Sequence, residues 1–533
     1  MLGVVLAAAC GSNRAAALSP PDHKAQFKVR VDPRVELLCI VLRLAGFPEY
    51  RMAPDFPYAR DVDAQFETLK EHPAVVTSRR LREEHGIAFD APIDLAVYLD
   101  DQLRPLMPLS PRPPALDERW SDVDLEGYVA ELQAFAKASA FATFFAQHRA
   151  YFAHVEARFR DHVVDEDVVG WFDGFFGRVA DASYTIVPGM LTGPANYGPK
   201  ADVPGRALAL YQVVSLEDLD DKQLPRPSQS TIKLLVHELA HSYVNSLFDR
   251  HSQELEPSLS AIYALVAPHM KRQGYGAWDA MAYESGVRAI TLLYLRDRKG
   301  AEIAASAQHG EQRRWFLWAG ELADLFDRYR RSRDRYRDLD AYFPEVVRFF
   351  DGVAKRYANG LPRVPFPGPI AEVDPTDAAV VGPEGNSEGT EALRAYVDTL
   401  RTDVFRGAAT APASGKPLIL FGSPSTNPIV ARMVSDAGWK ITAAGIAVAG
   451  RRFDGADLAL IVCRPDPDDP HRGVLIYTAA RDEQIVGIHG ARHRATDWVV
   501  VRRNATGELE KVGSGNFEVD AQGRWLFTTF VPS

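Results

Sequence analysis

The chain has 533 residues, a net charge of −10, 46% hydrophobic residues and 25% charged ones. That is ordinary globular composition, and the length calls for two or more domains. The acidic balance, with no basic patch interleaved with aromatics, excludes a nucleic-acid binder; three cysteines, Cys10, Cys39 and Cys463, exclude a disulfide framework.

The first residues, MLGVVLAAACGSN, form a short apolar run ending in small residues and a cysteine. The run resembles a bacterial lipoprotein signal, with Cys10 lipidated and residues 13–26 as a tether. It lacks a preceding Lys or Arg and is short, so a cytosolic N-terminus is the alternative. Beyond it no run reaches the ~18 apolar residues of a membrane span. Membrane contact is therefore expected only through a lipid on Cys10, at the periplasmic or outer-membrane face of the envelope.

Helical periodicity predicts helices over 31–46, 61–70, 124–150 and 158–177. The aromatics of 141–152 read as core. Residues 184–191 and 207–214 are apolar and β-prone, and read as a hairpin. Between them the loop GPANYGP, residues 193–199, brings Tyr197, which could donate a hydrogen bond to an oxyanion or serve as a plain turn residue. Asp218, Asp220 and Asp221 form an acidic loop, read as solvated, without EF-hand spacing.

The stretch TIKLLVHELAHSYVNSLFDR, residues 231–250, carries an HExxH motif: His237, Glu238 and His241. Ile232, Leu235, Val236, Leu239, Ala240, Tyr243 and Leu247 recur at helical spacing, and Pro and Ser residues just before supply capping chemistry. On that helix the two histidines sit one turn apart, off the apolar stripe. Two imidazoles so placed can hold one Zn²⁺, with the intervening Glu238 as general base.

A catalytic zinc site needs a third protein ligand. The metzincin continuation is absent, since Ser242-Tyr243-Val244-Asn245 brings neither glycine nor histidine. A glutamate from a second helix is the other solution. Glu284 lies in the periodic stretch 278–296, beside Gly286 for close approach and four residues before Arg288, which could orient its carboxylate. Glu254 and Glu256 are rivals on spacing alone.

Residues 311–357 are charged helix whose interleaved Arg and Asp predict a salt-bridged solvent face. Residues 361–389 lack apolar periodicity and read as a linker. Beyond it, strands at 418–422, 456–463, 474–478 and 498–501 and helices at 427–437 and 483–490 give a small α/β module, residues 390–533, to which no chemistry is assigned.

VHELAHSYVN followed by AYESGVRA resembles an uncharacterised bacterial family of gluzincin-like domains known only as a domain of unknown function. DPRVELLCIVLRLAG, EHPAVVTSRRLREEHGIAFDAPIDLAVYL and GPANYGP match it in order, over about residues 27–357. The resemblance implies an α+β, mostly helical zincin-like metallohydrolase domain over 27–360. It implies one zinc ion per chain on His237, His241 and Glu284, with Glu238 catalytic. A zinc metallopeptidase acting on a peptide or protein is then the first expectation. A zinc amidase on another envelope substrate and a non-catalytic zinc-containing binding domain are the alternatives.

Overall fold

The computed structural model describes residues 27–51, 56–163, 166–177, 182–193, 196–216, 219–225, 227, 229–405, 415–491, 496–504 and 507–531. Cys10 and the tether, Pro194 and Ala195 of the GPANYGP loop, and Asp218 lie outside them. No described helix is long and apolar enough to cross a membrane.

The chain is of the α+β class. One hydrophobic core runs from Val29 to Tyr357 and unites helices with a four-stranded sheet. Strand Ser183–Gly189 pairs in parallel with Lys28–Val29 on one side and with Ala209–Ser215 on the other. Lys200–Ala201 closes the far edge, antiparallel to Ala209–Ser215. The hairpin expected from 184–191 and 207–214 is thus a parallel pair. The residues between the two strands are too many for a tight turn, and parallel neighbours need such a crossover. The actual hairpin is the later one, where Tyr197 and Val213 exchange backbone hydrogen bonds.

The helices expected over 124–150 and 158–177 are broken more often than their periodicity suggests. Leu125–Ala138, Phe141–Gln147, Arg149–Val163 and Val168–Phe176 are separate elements. Ala140 takes φ 52° and Asp167 φ 42°, left-handed positions that end one helix and start the next. Asp220 accepts the backbone N–H groups of Lys222 and Leu224 within the loop and pairs with Arg158 of helix Arg149–Val163 at 2.7 Å. Within the Arg/Asp pattern Arg330 pairs with Asp327 at 2.5 Å, but Asp327 is buried and so is not part of a solvent face, and Asp324 pairs at 2.6 Å with Arg296 of helix Trp278–Lys299, outside the pattern.

Glu36 is fully buried in the first turn of helix Pro33–Leu44, where one oxygen accepts the N–H of Met190 at 3.1 Å and fixes the end of strand Ser183–Gly189. Burial pushes its pKa up to about 8, against the Tyr58 hydroxyl and the Met190 N–H, which favour the anion. Folding therefore favours the protonated acid. The stability it contributes is complete below the ordinary carboxyl range, declines as pH rises, and is lost once pH passes about 8. Melting temperature is expected to fall between pH 5 and 9, and to fall less in Glu36→Gln, whose amide makes the same bonds. An equally steep decline in that variant, followed by calorimetry, would refute the assignment.

The expected linker over 361–389 is mostly structured. Phe366, Ile370 and Val373 enter the C-terminal core, and Ala379–Val381 is an edge strand of its sheet. Their irregular spacing hid them, because a coil can bury side chains without a period. The module is a seven-stranded mixed sheet, parallel at the Ala379–Val381 edge and antiparallel toward Trp525–Val531. Alternate residues feed two cores. Ile419, Phe421, Ile461 and Tyr477 face helix Glu388–Asp403, while Leu418, Leu420, Leu460 and Ile476 face helix Pro428–Asp436. Burial on both faces explains why these strands read as continuous apolar runs. The helix expected at 483–490 is two 3-10 turns, Asp482–Gln484 and Ile488–Gly490, interrupted at Gly487 with φ 82°.

Candidate metal centre

The HExxH helix spans Gln229–Arg250. Ile232, Leu235, Val236, Leu239, Ala240, Val244, Leu247 and Phe248 are buried, and they hold it against the sheet and the helix Trp278–Lys299. That second helix is buried almost all round from Met281 to Leu295, because four other helices pack on it. The two helices touch closely at Gly286. A Cβ there would lie 2.6 Å from Val244 Cγ1 and 2.8 Å from the Phe248 ring. Gly286→Ala would gain roughly 0.8–1.0 kcal/mol of helix propensity. It would also force buried, rigid neighbours apart, at about 1–3 kcal/mol. The clash is expected to win, giving a net loss of stability in denaturant unfolding; a more stable Ala variant would contradict this packing.

The close approach brings one side chain from the second helix onto the face of the first. His237 Nε2 lies 3.6 Å from Glu284 Oε2, and His241 Nε2 lies 3.4 Å from Glu284 Oε1. Ligand atoms from these three residues all lie within 4.8 Å of one another. Two ligands each ~2.1 Å from a tetrahedral ion stand roughly 3.4 Å apart, so this spacing and this N, N, O donor set fit Zn²⁺. Glu284 is 8% exposed, and its Oε2 is buried without a hydrogen bond of good geometry. Glu254 and Glu256 are exposed on the next helix, Ser252–Arg272, and Glu254 stands 3.9 Å from His251 instead.

The surroundings hold the three groups in place. His241 Nδ1 and Asn245 Oδ1 are 3.1 Å apart; an N–H donated there leaves Nε2 as the lone-pair nitrogen facing Glu284. Arg288 Nη2 is 2.8 Å from Glu284 Oε2 and donates to the Tyr275 hydroxyl at 2.9 Å. Its other nitrogen, Nη1, pairs with the buried Glu311, and its guanidinium lies over the Phe316 ring. Lys233, one turn before His237, meets the other Glu311 oxygen at 2.8 Å. Sequence reasoning missed Asn245, Glu311 and Lys233. Asn245 at i+4 from His241 was the one with a readable signal; Glu311 comes from a distant helix and had none.

Electrostatics follow from burial and from this charge set. Burial pushes the His237 pKa down to about 3, against the pull of Glu284. Burial acts the same way on His241, but its bond to Glu284, with Glu238 and Asn245, raises it. Burial would raise Glu284, yet Arg288 and the two histidines hold it well below the usual carboxylate range. Glu238 is pushed up to about 7, by burial first and then by the negative charges of Glu284 and Asp90, with His241 opposing.

Gly198 reaches this surface. A Cβ on Gly198 would sit 3.3 Å from Glu238 Oε2 and from the Glu238 carbonyl, so the backbone there passes directly over Glu238. Tyr197, its neighbour in the extended segment, points to the other side. Its phenol is buried near Tyr50 and the Cys39 thiol, in the core, and burial first raises its pKa. The hydroxyl expected to meet an oxyanion is therefore directed away from Glu238.

Residues 114–349 match the family model of DUF4932, a domain of unknown function. The match contains His237, Glu238, His241, Glu284, Arg288 and Glu311. It begins well after the two N-terminal motifs on which the longer resemblance rested, and ends before the C-terminal module. No curated protein and no solved structure matches the chain.

Proposed function

We propose that the chain is a zinc-dependent metallopeptidase of gluzincin-like type, with His237, His241 and Glu284 as metal ligands and Glu238 as general base. The observation that carries this reading is the spacing of 3.4 and 3.6 Å from Glu284 to the two imidazole Nε2 atoms, with Glu238 on the same helix. Zn²⁺ held there would supply Lewis acidity toward a scissile carbonyl. Glu238 takes a proton from water on its carboxylate and delivers it to the leaving amine nitrogen. Asn245 keeps His241 in one tautomer, and Arg288 holds Glu284 against rotation. An extended peptide laid along residues 196–201, at the sheet edge, finds main-chain hydrogen bonds whatever its side chains. Lipidation of Cys10 would place the activity at the cell envelope, and mass spectrometry of the mature N-terminus tests that separately.

The test of the activity is a peptide library incubated with purified full-length protein and read by mass spectrometry, with and without a zinc chelator. Cleavage that stops with the chelator and returns with added Zn²⁺ is expected. An absence of zinc-dependent cleavage across the library would shift the reading to a zinc-containing binding domain.

A further inference from the structure

A cavity of about 760 Å³ opens between the helical domain and the C-terminal sheet, and none of His237, Glu238, His241 and Glu284 lines it. Much of its wall is apolar, with Leu295, Ile303 and Ala307 from the helices and Phe517 and Val519 from the sheet. Size, setting and polarity suit a small organic ligand, since such pockets favour domain interfaces and carry a few placed polar groups.

The polar groups fall into two kinds. Arg272 is engaged by Glu372 at 2.5 Å and Arg313 by Asp497 at 2.6 Å, so these pairs tie the domains together. The rest concentrate around Glu311. Lys233 Nζ at 2.8 Å and Arg314 Nη1 at 3.7 Å both lean on one oxygen of Glu311, while Arg288 occupies the other. One buried carboxylate is thus shared by three cations, two of which line the cavity. With Glu311 included, Lys233, Arg272, Arg313 and Arg314 balance Glu311, Glu372, Asp497 and Glu518, so the positive excess is local: Lys233 and Arg314 have one Glu311 oxygen between them. Burial, with the neighbouring Arg314 and Arg288 opposing the pull of Glu311, lowers the Lys233 pKa, the state an added anion would relieve.

Trp315 adds a donor. Its backbone takes φ 66°, a conformation side chains rarely adopt, and its ring stacks on His269 with centroids 3.6 Å apart. The indole Nε1 is buried and has no hydrogen-bond partner among the described residues. A buried donor left unpaired is uncommon in a settled core.

We propose that this interdomain cavity binds a small amphipathic monocarboxylate, its apolar body against Ile303, Leu295 and Val519 and its carboxylate at Lys233 and Arg314. Two cations that share one carboxylate oxygen match a monoanion better than a phosphate dianion. The carboxylate belongs to a free organic acid or to the C-terminus of a short peptide. The proposal does not depend on the metallopeptidase reading, because its test needs neither zinc nor turnover.

Calorimetric titration of the metal-free full chain with octanoate and 3-phenylpropanoate is the experiment, with octan-1-ol and 3-phenylpropan-1-ol as uncharged controls. One acid per chain should bind, at least about tenfold more tightly than its alcohol, a difference of about 1.4 kcal/mol. N-acetyl-Ala-Phe with a free or an amidated C-terminus decides whether a peptide end is accepted. Arg314→Gln, at a half-exposed site, should weaken the acids about tenfold, and Ala307→Trp, which fills the cavity, should abolish binding while melting temperature reports an intact fold. The proposal is overturned if the acids give no heat at millimolar concentration, if acid and alcohol bind alike, or if Arg314→Gln binds as the wild type does.

Discussion

Glu284→Ala is expected to reduce bound zinc from about one ion per chain to near none, as are His237→Ala and His241→Ala. A structural zinc site takes four protein ligands and a catalytic one three, so a two-ligand remnant holds the metal weakly. The carboxylate is also the only one of the glutamates at issue that reaches both imidazoles, at 3.6 and 3.4 Å. Glu254→Ala and Glu256→Ala, exposed on the following helix, should leave zinc content unchanged. Arg288→Ala should cost ~10–100-fold in affinity, as loss of a ligand's orienting partner does. Glu311→Gln should cost less than that, because Arg288 keeps Tyr275 and Glu284. Elemental analysis after dialysis against a competing chelator reads all of these. Glu284→Gln, of nearly the same shape, guards against misfolding as the explanation. Zinc retained in full by Glu284→Ala, with loss in Glu254→Ala, would remove the site as drawn.

What could be read in the sequence follows from how local each signal is. The HExxH helix announces itself through one apolar stripe and two histidines off that stripe, all within twenty residues. Glu284 needed more. Its helix is buried on nearly every side, so periodicity could not separate a facing position from any other. What could be read was Gly286, whose lack of a Cβ is what lets Val244 and Phe248 approach. The C-terminal strands were legible for the opposite reason, since burial on both faces makes them unbroken apolar runs. Strand direction was not legible: Ser183–Gly189 and Ala209–Ser215 carry the same pattern whether they pair parallel or antiparallel. Tyr197 fails for a related reason. In an extended segment neighbours face opposite sides, and a one-residue difference in register puts Gly198 over Glu238 and the phenol in the core. Glu311 and Lys233 could not be paired from sequence at all, because their contact depends on how two distant helices cross.

Glu238→Gln should keep zinc, keep the fold and lower turnover by ~10²–10⁴ on any substrate the library yields. The amide has the size of the carboxylate, so the contact beneath Gly198 survives, and none of the three ligand atoms is touched. What is lost is the ability to take up a proton and release it again. In the metal-free protein burial together with the Glu284 and Asp90 charges raises the Glu238 pKa, and a bound Zn²⁺ opposes that rise. The base must be ionised to act, so wild-type activity should disappear as pH falls through the pKa that Glu238 has with zinc in place. The residual activity of Glu238→Gln should show no such acidic limb. A pH–rate profile of kcat/KM for both proteins, at saturating zinc, separates this from a structural role, which would lower the rate without altering the shape of the profile. Turnover within a few-fold of wild type, or an acidic limb preserved in the variant, would assign the proton transfer to another residue.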